Sequence, residues 1–538
     1  MAVLQHIRVT LFFVATLTGC ASLPEKVSHS AVPVVSQQSS TLSQMSDAYQ
    51  LAQPNIGMSA VSVLDTGWDA LAQRLALIET AEHSIDIQYY IWNSDVSGRY
   101  LASRLVAAAE RGVKVRLMLD DINLNERENL LTTLDSHPDI EIRIYNPAPS
   151  RGGVSKLVSV LGDFSRLNRR MHNKSFTVDG ALSVVGGRNI GDEYFDLSDD
   201  INFRDRDALV MGAVVADIEE SFAQYWDSDW SYPVHLLGGE ATVDFADLNN
   251  ITDLAGLTGF GEVEVPRYSD YPALPDGNSK PDGNSKPDGN PEGNKAAKTL
   301  LNETMEQMSW VKAQYVSDRP VPVDETNTNQ PKATARFMAQ LAEQSEHEIL
   351  LESAYLIFDE SQLEMSQMLT SEGVVIKALT NSMASNDLLT NHSGYAGRRL
   401  DILESGVQLF ELKPDSTLCE MSTKDVSKCA PSAPYGLHTK SAVFDRKIAT
   451  IGSFNFNLRS TYLNTESLLV IDNEDVAKRL AEAMDQTMNE DHSWRVDLES
   501  GEVRWHSGSE SWNSEPETGR WERVKSRFLQ LLPIEKYL

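Results

Sequence analysis

The chain has 538 residues, 41% of them hydrophobic and 23% charged. That length is well past the roughly 250–300 residues at which single cores stop growing, so two domains or a duplicated domain are expected. With 78 acidic against 47 basic residues the formal net charge is −31, which argues against a general nucleic-acid binder because phosphate-backbone affinity needs a concentrated basic surface. A small basic pocket is not excluded.

From the N-terminus, the first twenty residues read as a secretion signal. Arg8 precedes an apolar run, Val9–Leu17, that is too short to span a bilayer, and Thr18-Gly19-Cys20-Ala21 follows. Leu17-Thr18-Gly19-Cys20 resembles the bacterial lipobox. The resemblance implies a signal peptide over 1–20, a lipid-modified Cys20, and a periplasm-facing anchor in the cell envelope; Ala21 after the Cys implies the outer membrane. Residues 21–56, rich in Ser, Gln, Val and Pro without helical or strand period, are expected to form a flexible tether.

A first domain is expected over 57–270. Trp68, Leu71, Leu75 and Ile78 recur at helical spacing, and Ser84–Ile91 reads as a strand. A helix through Leu101–Arg111 ended by Gly112, a strand Val113–Leu119, a helix near Glu126–Leu134 and a strand Ile140–Tyr145 complete a β-α-β-α-β order. That order predicts a parallel sheet covered by helices. Residues 271–298 carry Pro275-Asp-Gly-Asn-Ser-Lys280, repeated as Pro281–Lys286 and again from Pro287, ending in Pro291-Glu-Gly-Asn294. Turn chemistry with nothing apolar to bury predicts a disordered linker, a calcium-binding repeat being the functional alternative.

The second domain, 299–538 with a C-terminal extension, repeats the order. Helix Ala333–Gln344 leads to strand Glu348–Leu351, Gly373 precedes strand Val374–Leu379, and Gly406 precedes strand Val407–Leu412. Cys419 and Cys429 predict a loop disulfide in an oxidising compartment, with unlinked thiols as the alternative. The tail Trp521–Pro533 has basic and apolar faces and predicts an amphipathic helix that docks on the body or on lipid headgroups.

Chemistry concentrates in two copies of one pattern. His172-Asn-Lys174-Ser-Phe-Thr-Val-Asp179 and His438-Thr-Lys440-Ser-Ala-Val-Phe-Asp445 are each followed by a Gly-Gly/Ser-x-Asn turn ending at Asn189 and Asn455. The motifs recur at an offset of 266 and the glycines Gly112 and Gly373 at 261, so the duplication keeps register to within a few residues. On a strand, an imidazole and an amine two residues apart point to one face. Attack on a phosphodiester needs a nucleophile, positive charge on the non-bridging oxygens and an acid for the departing alkoxide, and two such half-sites supply all three.

The paired motifs, with Tyr89-Tyr-Ile-Trp92, Gly186-Gly-Arg-Asn-Ile-Gly-Asp-Glu-Tyr-Phe195, Tyr395-Ala-Gly-Arg-Arg399, Gly452-Ser-Phe-Asn-Phe456, Arg459-Ser460 and Asn464-Thr-Glu466, resemble the phospholipase D superfamily, and within it the cardiolipin synthase branch of the C type. The resemblance runs roughly from Val61 to Leu538 without the insert. It implies an α/β fold of two duplicated phospholipase D-like domains, each a mixed, mostly parallel sheet flanked by helices, packed as a pseudo-dimer. His172 would be the nucleophile and His438 the general acid and base, though sequence symmetry leaves the swap open. Lys174, Lys440 and the amides of Asn189 and Asn455 would hold the phosphoryl oxygens. Glu466, 28 residues after His438, matches the carboxylate that steadies an imidazole. Asp205 is the candidate in the first half, with Asp207 close behind. Asp179 and Asp445 are expected to brace turns.

No metal or other cofactor is expected, since Lys and Asn groups already neutralise phosphate charge. The expected partners are phospholipids and a membrane surface, with no nucleic acid. The leading reading is a membrane-tethered phosphatidyltransferase making cardiolipin from phosphatidylglycerol and a second phospholipid. A hydrolytic phospholipase D is the nearest rival, and a superfamily nuclease or a non-catalytic lipid-binding scaffold stands further off.

Overall fold

The computed structural model describes residues 23, 39–52, 57–123, 128–149, 164–238, 291–322, 329–531 and 537. Cys20, the signal segment and the Pro-Asp-Gly-Asn repeats before Pro291 lie outside the described residues. No described helix is long and apolar enough to cross a membrane.

The first half contributes strands β1 (Ser59–Leu64), β2 (Ser84–Tyr89), β3 (Lys114–Asp120), β4 (Ile140–Tyr145), β5 (Ser175–Val178), β6 (Leu182–Gly186), β7 (Asn202–Arg204), β8 (Asp207–Gly212) and β9 (Ser231–Pro233). The second contributes β10 (Ser309–Ser317), β11 (Glu348–Ser353), β12 (Val375–Asn381), β13 (Gln408–Leu412), β14 (Tyr435–Leu437), β15 (Lys440–Phe444), β16 (Ile448–Gly452), β17 (Ser467–Asp472), β18 (Ser493–Glu499), β19 (Glu502–Ser507) and β20 (Glu510–Trp512).

Strands β2, β3 and β4 pair in parallel, as the β-α-β-α-β order predicts, and so do β11, β12 and β13. The remaining pairs in the main sheet are antiparallel, so each half holds fewer parallel pairs than expected. The cause lies in the motifs: Asp179-Gly180 and Asp445-Arg446 make tight turns that fold β5 onto β6 and β15 onto β16 as hairpins, and a hairpin can only pair antiparallel.

The two halves share one sheet. Its order is β9-β4-β3-β2-β5-β6-β8-β1 and then β10-β17-β16-β15-β11-β12-β13-β18-β19-β20, joined where Ser59–Val61 of β1 pairs antiparallel with Ser309–Val311 of β10. A pseudo-twofold axis therefore passes through the β1–β10 seam. Helices Val214–Trp226 and Glu474–Thr487 cover this seam from one face. Val214, Val215 and Ile218 of the first and Val476, Leu480 and Met484 of the second lie in one buried cluster with Val61, Val210, Val311 and Leu469. Burial at about 25 cal/mol per Å² of apolar surface lets this shared core help hold the halves together.

Two boundaries differ from the sequence reading. The expected tether over 21–56 contains a helix, Thr41–Leu51, capped by Ser40 and anchored by the fully buried Leu42. The expected linker over 271–298 gives way at Pro291 to the helix Pro291–Gln307. Although that helix precedes the second half in sequence, it packs on the first: Ala297, Leu301 and Met305 join the first-half core, and Gln73 Nε2 donates to Thr304 Oγ1 at 2.7 Å.

Asp179 and Asp445 brace turns as expected. The Asp179 carboxylate accepts from the backbone N–H groups of Glu82, His83 and Ser84, and Asp445 accepts from Glu346, His347 and Glu348. Both sit at positive φ, 51° and 50°, a conformation Asp tolerates better than most residues. Asp445→Ala should lower unfolding stability by about 1–2 kcal/mol, from lost hydrogen bonds and a poorer left-handed residue. Denaturant melts paired with specific activity check this: stability falls while turnover per folded molecule is retained.

Candidate active site

The motif residues converge from both halves at the end of the shared sheet. His172 and Lys174 lie on extended chain leading into β5, and Lys440 opens β15 just after His438. His172, Lys174, His438, Lys440, Asp205, Glu466, Asn189 and Asn455 are all buried, 0–6% exposed.

What pulls the half-sites together is backbone pairing across the halves. Met171 forms a parallel bridge with Thr465, the His172 N–H donates to Thr465 O at 2.9 Å, and Thr465 N–H donates to Arg170 O at 2.9 Å. Likewise β7 pairs in parallel with β14, and His438 N–H donates to Arg204 O at 2.8 Å. Each bridge sets the next residue on one side, a His, beside the next residue on the other, a carboxylate.

The carboxylate partners are therefore exchanged relative to the sequence reading. Glu466 does not hold His438 but His172, its Oε2 lying 2.7 Å from His172 Nδ1; Asp205 holds His438, Oδ2 to Nδ1 at 2.5 Å. Asp207, the alternative, is occupied elsewhere: it pairs with buried Arg74 at 2.8 Å. The acceptors fix the tautomers. His172 Nδ1 faces Glu466 Oε2 and, at 3.0 Å, Ser453 O. Neither can donate, so Nδ1 carries the proton and the Nε2 lone pair of a neutral ring is left for chemistry. The same logic applies to His438 beside Asp205.

Glu466 is further held by hydroxyls: Ser453 Oγ donates to Oε2 at 2.5 Å and Ser460 Oγ to Oε1 at 2.6 Å. Burial opposes its ionisation, but His172, Lys174 and Ser453 outweigh it and hold the acid below its usual range. Asp205 is likewise held low against burial by His438 and Lys440. Burial is also the main force on the imidazoles, pushing His172 down to about 4 and His438 to about 3, the latter helped by repulsion from Lys440. At neutral pH each pair is a neutral imidazole on an ionised carboxylate.

Lys174 Nζ donates to the carbonyl of its own motif's histidine at 2.6 Å, and Lys440 does the same to His438 O. Burial pushes Lys174 down to about 7 and Lys440 to about 8, partly offset by Glu466 and Asp205 respectively. An arriving phosphate anion reverses that effect by supplying a counter-charge. Asn189 accepts from Ile91 N–H at 3.2 Å and donates one amide proton to Tyr194 OH at 3.1 Å, leaving the other free to donate. Asn455 Oδ1 is buried with no hydrogen-bond partner among the described residues.

Several contributors carried no role in the sequence reading. Tyr90 meets the His172 ring edge-on with centroids 4.8 Å apart, and Tyr194 does the same to His438 at 5.0 Å. Their motifs, Tyr89–Trp92 and Gly186–Phe195, were visible signals. Gly187 explains one glycine of the second: an added Cβ would lie 2.3 Å from Asp205 Oδ1, so only glycine lets the turn close over that carboxylate. Cys419 and Cys429 form a disulfide, buried with Leu379, Tyr435 and Leu437 beneath the strand that delivers His438. Among the described residues no three His, Cys, Asp or Glu side chains gather as a metal-ligand set.

Residues 75–226 and 338–488 each match the family described as cardiolipin synthase, PLD-like domain. The chain belongs to the phospholipase D superfamily. It is 36% identical to cardiolipin synthase C of Escherichia coli (strain K12) over 490 residues, 90% of this chain and 97% of that one. It is 30% identical to an uncharacterized protein of Helicobacter pylori (strain J99 / ATCC 700824), covering 88% and 89% of the two chains. The crystal structure of phosphatidylserine synthase from Haemophilus influenzae Rd KW20 shares the fold, with a TM-score of 0.54 over 92% of this chain and 100% of that one at 11% identity. This phospholipase D-type enzyme is cardiolipin synthase-like, and its two repeats are the two halves of the shared sheet.

The exchanged carboxylates make a sharp prediction. Glu466→Gln should change the titration of His172 and leave that of His438 in place, while Asp205→Asn should do the reverse, as read by imidazole nitrogen NMR. Each variant should lose about 10²–10⁴ in turnover, the range for removing a carboxylate that orients a catalytic histidine. A shift of His438 in Glu466→Gln would contradict the cross-half wiring.

Proposed function

We propose that the chain is a phosphatidyltransferase that makes cardiolipin from phosphatidylglycerol and a second phospholipid through a phosphohistidine on His172. The observation that carries this reading is the pair of imidazoles with Nδ1 committed to carboxylates and Nε2 left for chemistry, flanked by two buried lysines. Likeness to cardiolipin synthase C along 97% of that protein supports a lipid hydroxyl as acceptor.

In the first step Nε2 of His172 attacks phosphorus, the bond to the headgroup oxygen breaks, and His438 passes its proton to the departing alkoxide. Lys174, Lys440, Asn189 and Asn455 hold the non-bridging oxygens. In the empty site His438 is neutral with its proton on Nδ1, so under this mechanism the bound phosphodiester anion raises its proton affinity and Nε2 takes up from solvent the proton that it then gives to the leaving group. In the second step neutral His438 removes the proton of the acceptor hydroxyl, the resulting oxygen attacks phosphorus, and His172 departs. A headgroup hydroxyl gives cardiolipin; water would give hydrolysis. No step uses a metal, so EDTA should leave turnover unchanged.

Cys20 is proposed as a lipidated anchor that holds the enzyme on the periplasmic face of the cell envelope, at the outer membrane. Labelled palmitate should enter the wild type and not Cys20→Ala.

Two experiments test the chemistry. In a cell lacking cardiolipin, wild type should restore the lipid and His172→Ala should not; phosphatidic acid in place of cardiolipin would identify water as acceptor. With a phosphatidyl ester of p-nitrophenol, whose leaving group needs little protonation, His438→Ala should accumulate a trapped phosphoenzyme and His172→Ala none. The opposite pattern would reverse the two roles.

A further inference from the structure

An amphipathic helix on a folded body normally buries its apolar stripe and shows its polar face to water. Helix Arg520–Leu529 is mounted the other way round. Its buried residue is Ser526, whose hydroxyl accepts from Ser393 Oγ at 3.2 Å on the neighbouring helix Leu389–Glu404. Arg523 fastens the same side by donating to Thr518 O at 2.8 Å, and Glu522 closes the first turn through the Gly519 N–H at 2.7 Å. Facing solvent instead are Trp521 at 76% exposed, Val524 at 53%, Phe528 at 63% and, just past the helix end, Leu531 at 79%. Steps of three, four and three residues set these four on one stripe.

The charge beside the stripe opposes that of the chain. The helix carries four basic and one acidic side chain, with Arg520, Lys525 and Arg527 exposed, on a protein of formal net charge −31. An apolar stripe bordered by cations is the chemistry of a helix that lies in the interface of an anionic bilayer. The location fits as well. Six residues after Leu531, the Tyr537 carbonyl accepts from Arg459 Nη1 at 3.2 Å, and Arg459 belongs to the short helix Leu458–Tyr462 whose Ser460 holds Glu466. Six extended residues reach at most about 22 Å, so the Leu531 end of the stripe lies within about that distance of the Arg459 contact.

We propose that helix Arg520–Leu529 is a membrane-docking element that seats Trp521, Val524, Phe528 and Leu531 among the acyl chains of an anionic bilayer and so presents the catalytic site to it. The proposal extends the lipid-substrate reading above and rests on it for its biological sense, although its test reads binding and not turnover.

The test uses the full chain with Cys20→Ala, so that no acyl anchor masks the helix, and flotation with phosphatidylglycerol–phosphatidylcholine vesicles. Trp521→Ser with Phe528→Ser should lower vesicle affinity about tenfold or more. Turnover of a short-chain, monomeric phosphatidylglycerol should be unchanged, which reports an intact site. Lys525→Glu with Arg527→Glu should weaken binding to the anionic vesicles and spare the weaker binding to phosphatidylcholine alone. Full vesicle binding in both double variants would overturn the proposal. So would a loss of self-association in sedimentation with vesicle binding intact, which would assign the face to a second copy. A wild type that docks through this helix yet transfers no phosphatidyl group would uphold the docking element and overturn the proposed function.

Discussion

Neither motif histidine finds its carboxylate within its own repeat. His172 takes its carboxylate from a residue 294 positions away and His438 from one 233 positions away, and everything else in the interface holds those two contacts in place. Moving a carboxylate into a low-dielectric site costs several kcal/mol, returned only if its lone pairs are met with good geometry. The Met171–Thr465 bridge and the β7–β14 pair set each partner to within a residue, and the β1–β10 seam with its shared apolar core keeps the halves from sliding. A buried inter-half ion pair, Arg206 to Glu352 at 2.5 Å, adds a polar contact between them. Loosening that seam would separate charges that have no water to replace their partners.

The two His–carboxylate pairs occupy equivalent places in the pseudo-twofold and are nevertheless unlike. Glu466 is longer than Asp205 and is gripped by two serine hydroxyls besides His172. Asp205 instead accepts from the Arg206 N–H at 2.7 Å next in chain. Lys440 counts second only to burial among the forces on His438, whereas for His172 the second force is attraction to Glu466. A perfectly symmetric pair would titrate as a single coupled system with no fixed donor. Under the proposed mechanism, unequal settings would let one imidazole serve as nucleophile while the other exchanges protons.

Legibility in the sequence followed the range of the interaction. The strands Lys114–Asp120 and Val375–Asn381 are legible as apolar runs just after the glycine stops Gly112 and Gly373, and the motifs are visible because His, Lys and Asp recur at fixed local spacing. The exchange of carboxylates was not legible, since it depends on which strand of one half lies beside which strand of the other. Helix Thr41–Leu51 is hard to read from sequence because it is short and its apolar side is thin: Leu42, Met45 and Tyr49 meet the first-half core behind a Ser40 cap. Helix Pro291–Gln307 was hidden by Pro-Glu-Gly-Asn, which is turn chemistry in solution and also an acceptable helix start, proline being at home in a first turn. Its Ala297, Leu301 and Met305 recur every fourth residue, a helical signal that lies just beyond the repeats.

Charge links these features to the proposed membrane docking. A net charge of −31 describes the whole surface, yet at physiological ionic strength a charge is felt over only about 8 Å. What an anionic bilayer meets is thus the local charge of whichever face arrives, and most faces of this protein would be repelled. A cationic helix face changes both the strength and the direction of approach, because the acidic remainder turns away as the basic patch draws in. Inside the site the balance is different again: two lysines face two carboxylates, and burial has already weakened the lysines' hold on their protons. On the proposed mechanism, a phosphodiester entering that pocket would favour the charged form of both lysines, so substrate binding would itself assemble the electrostatic clamp.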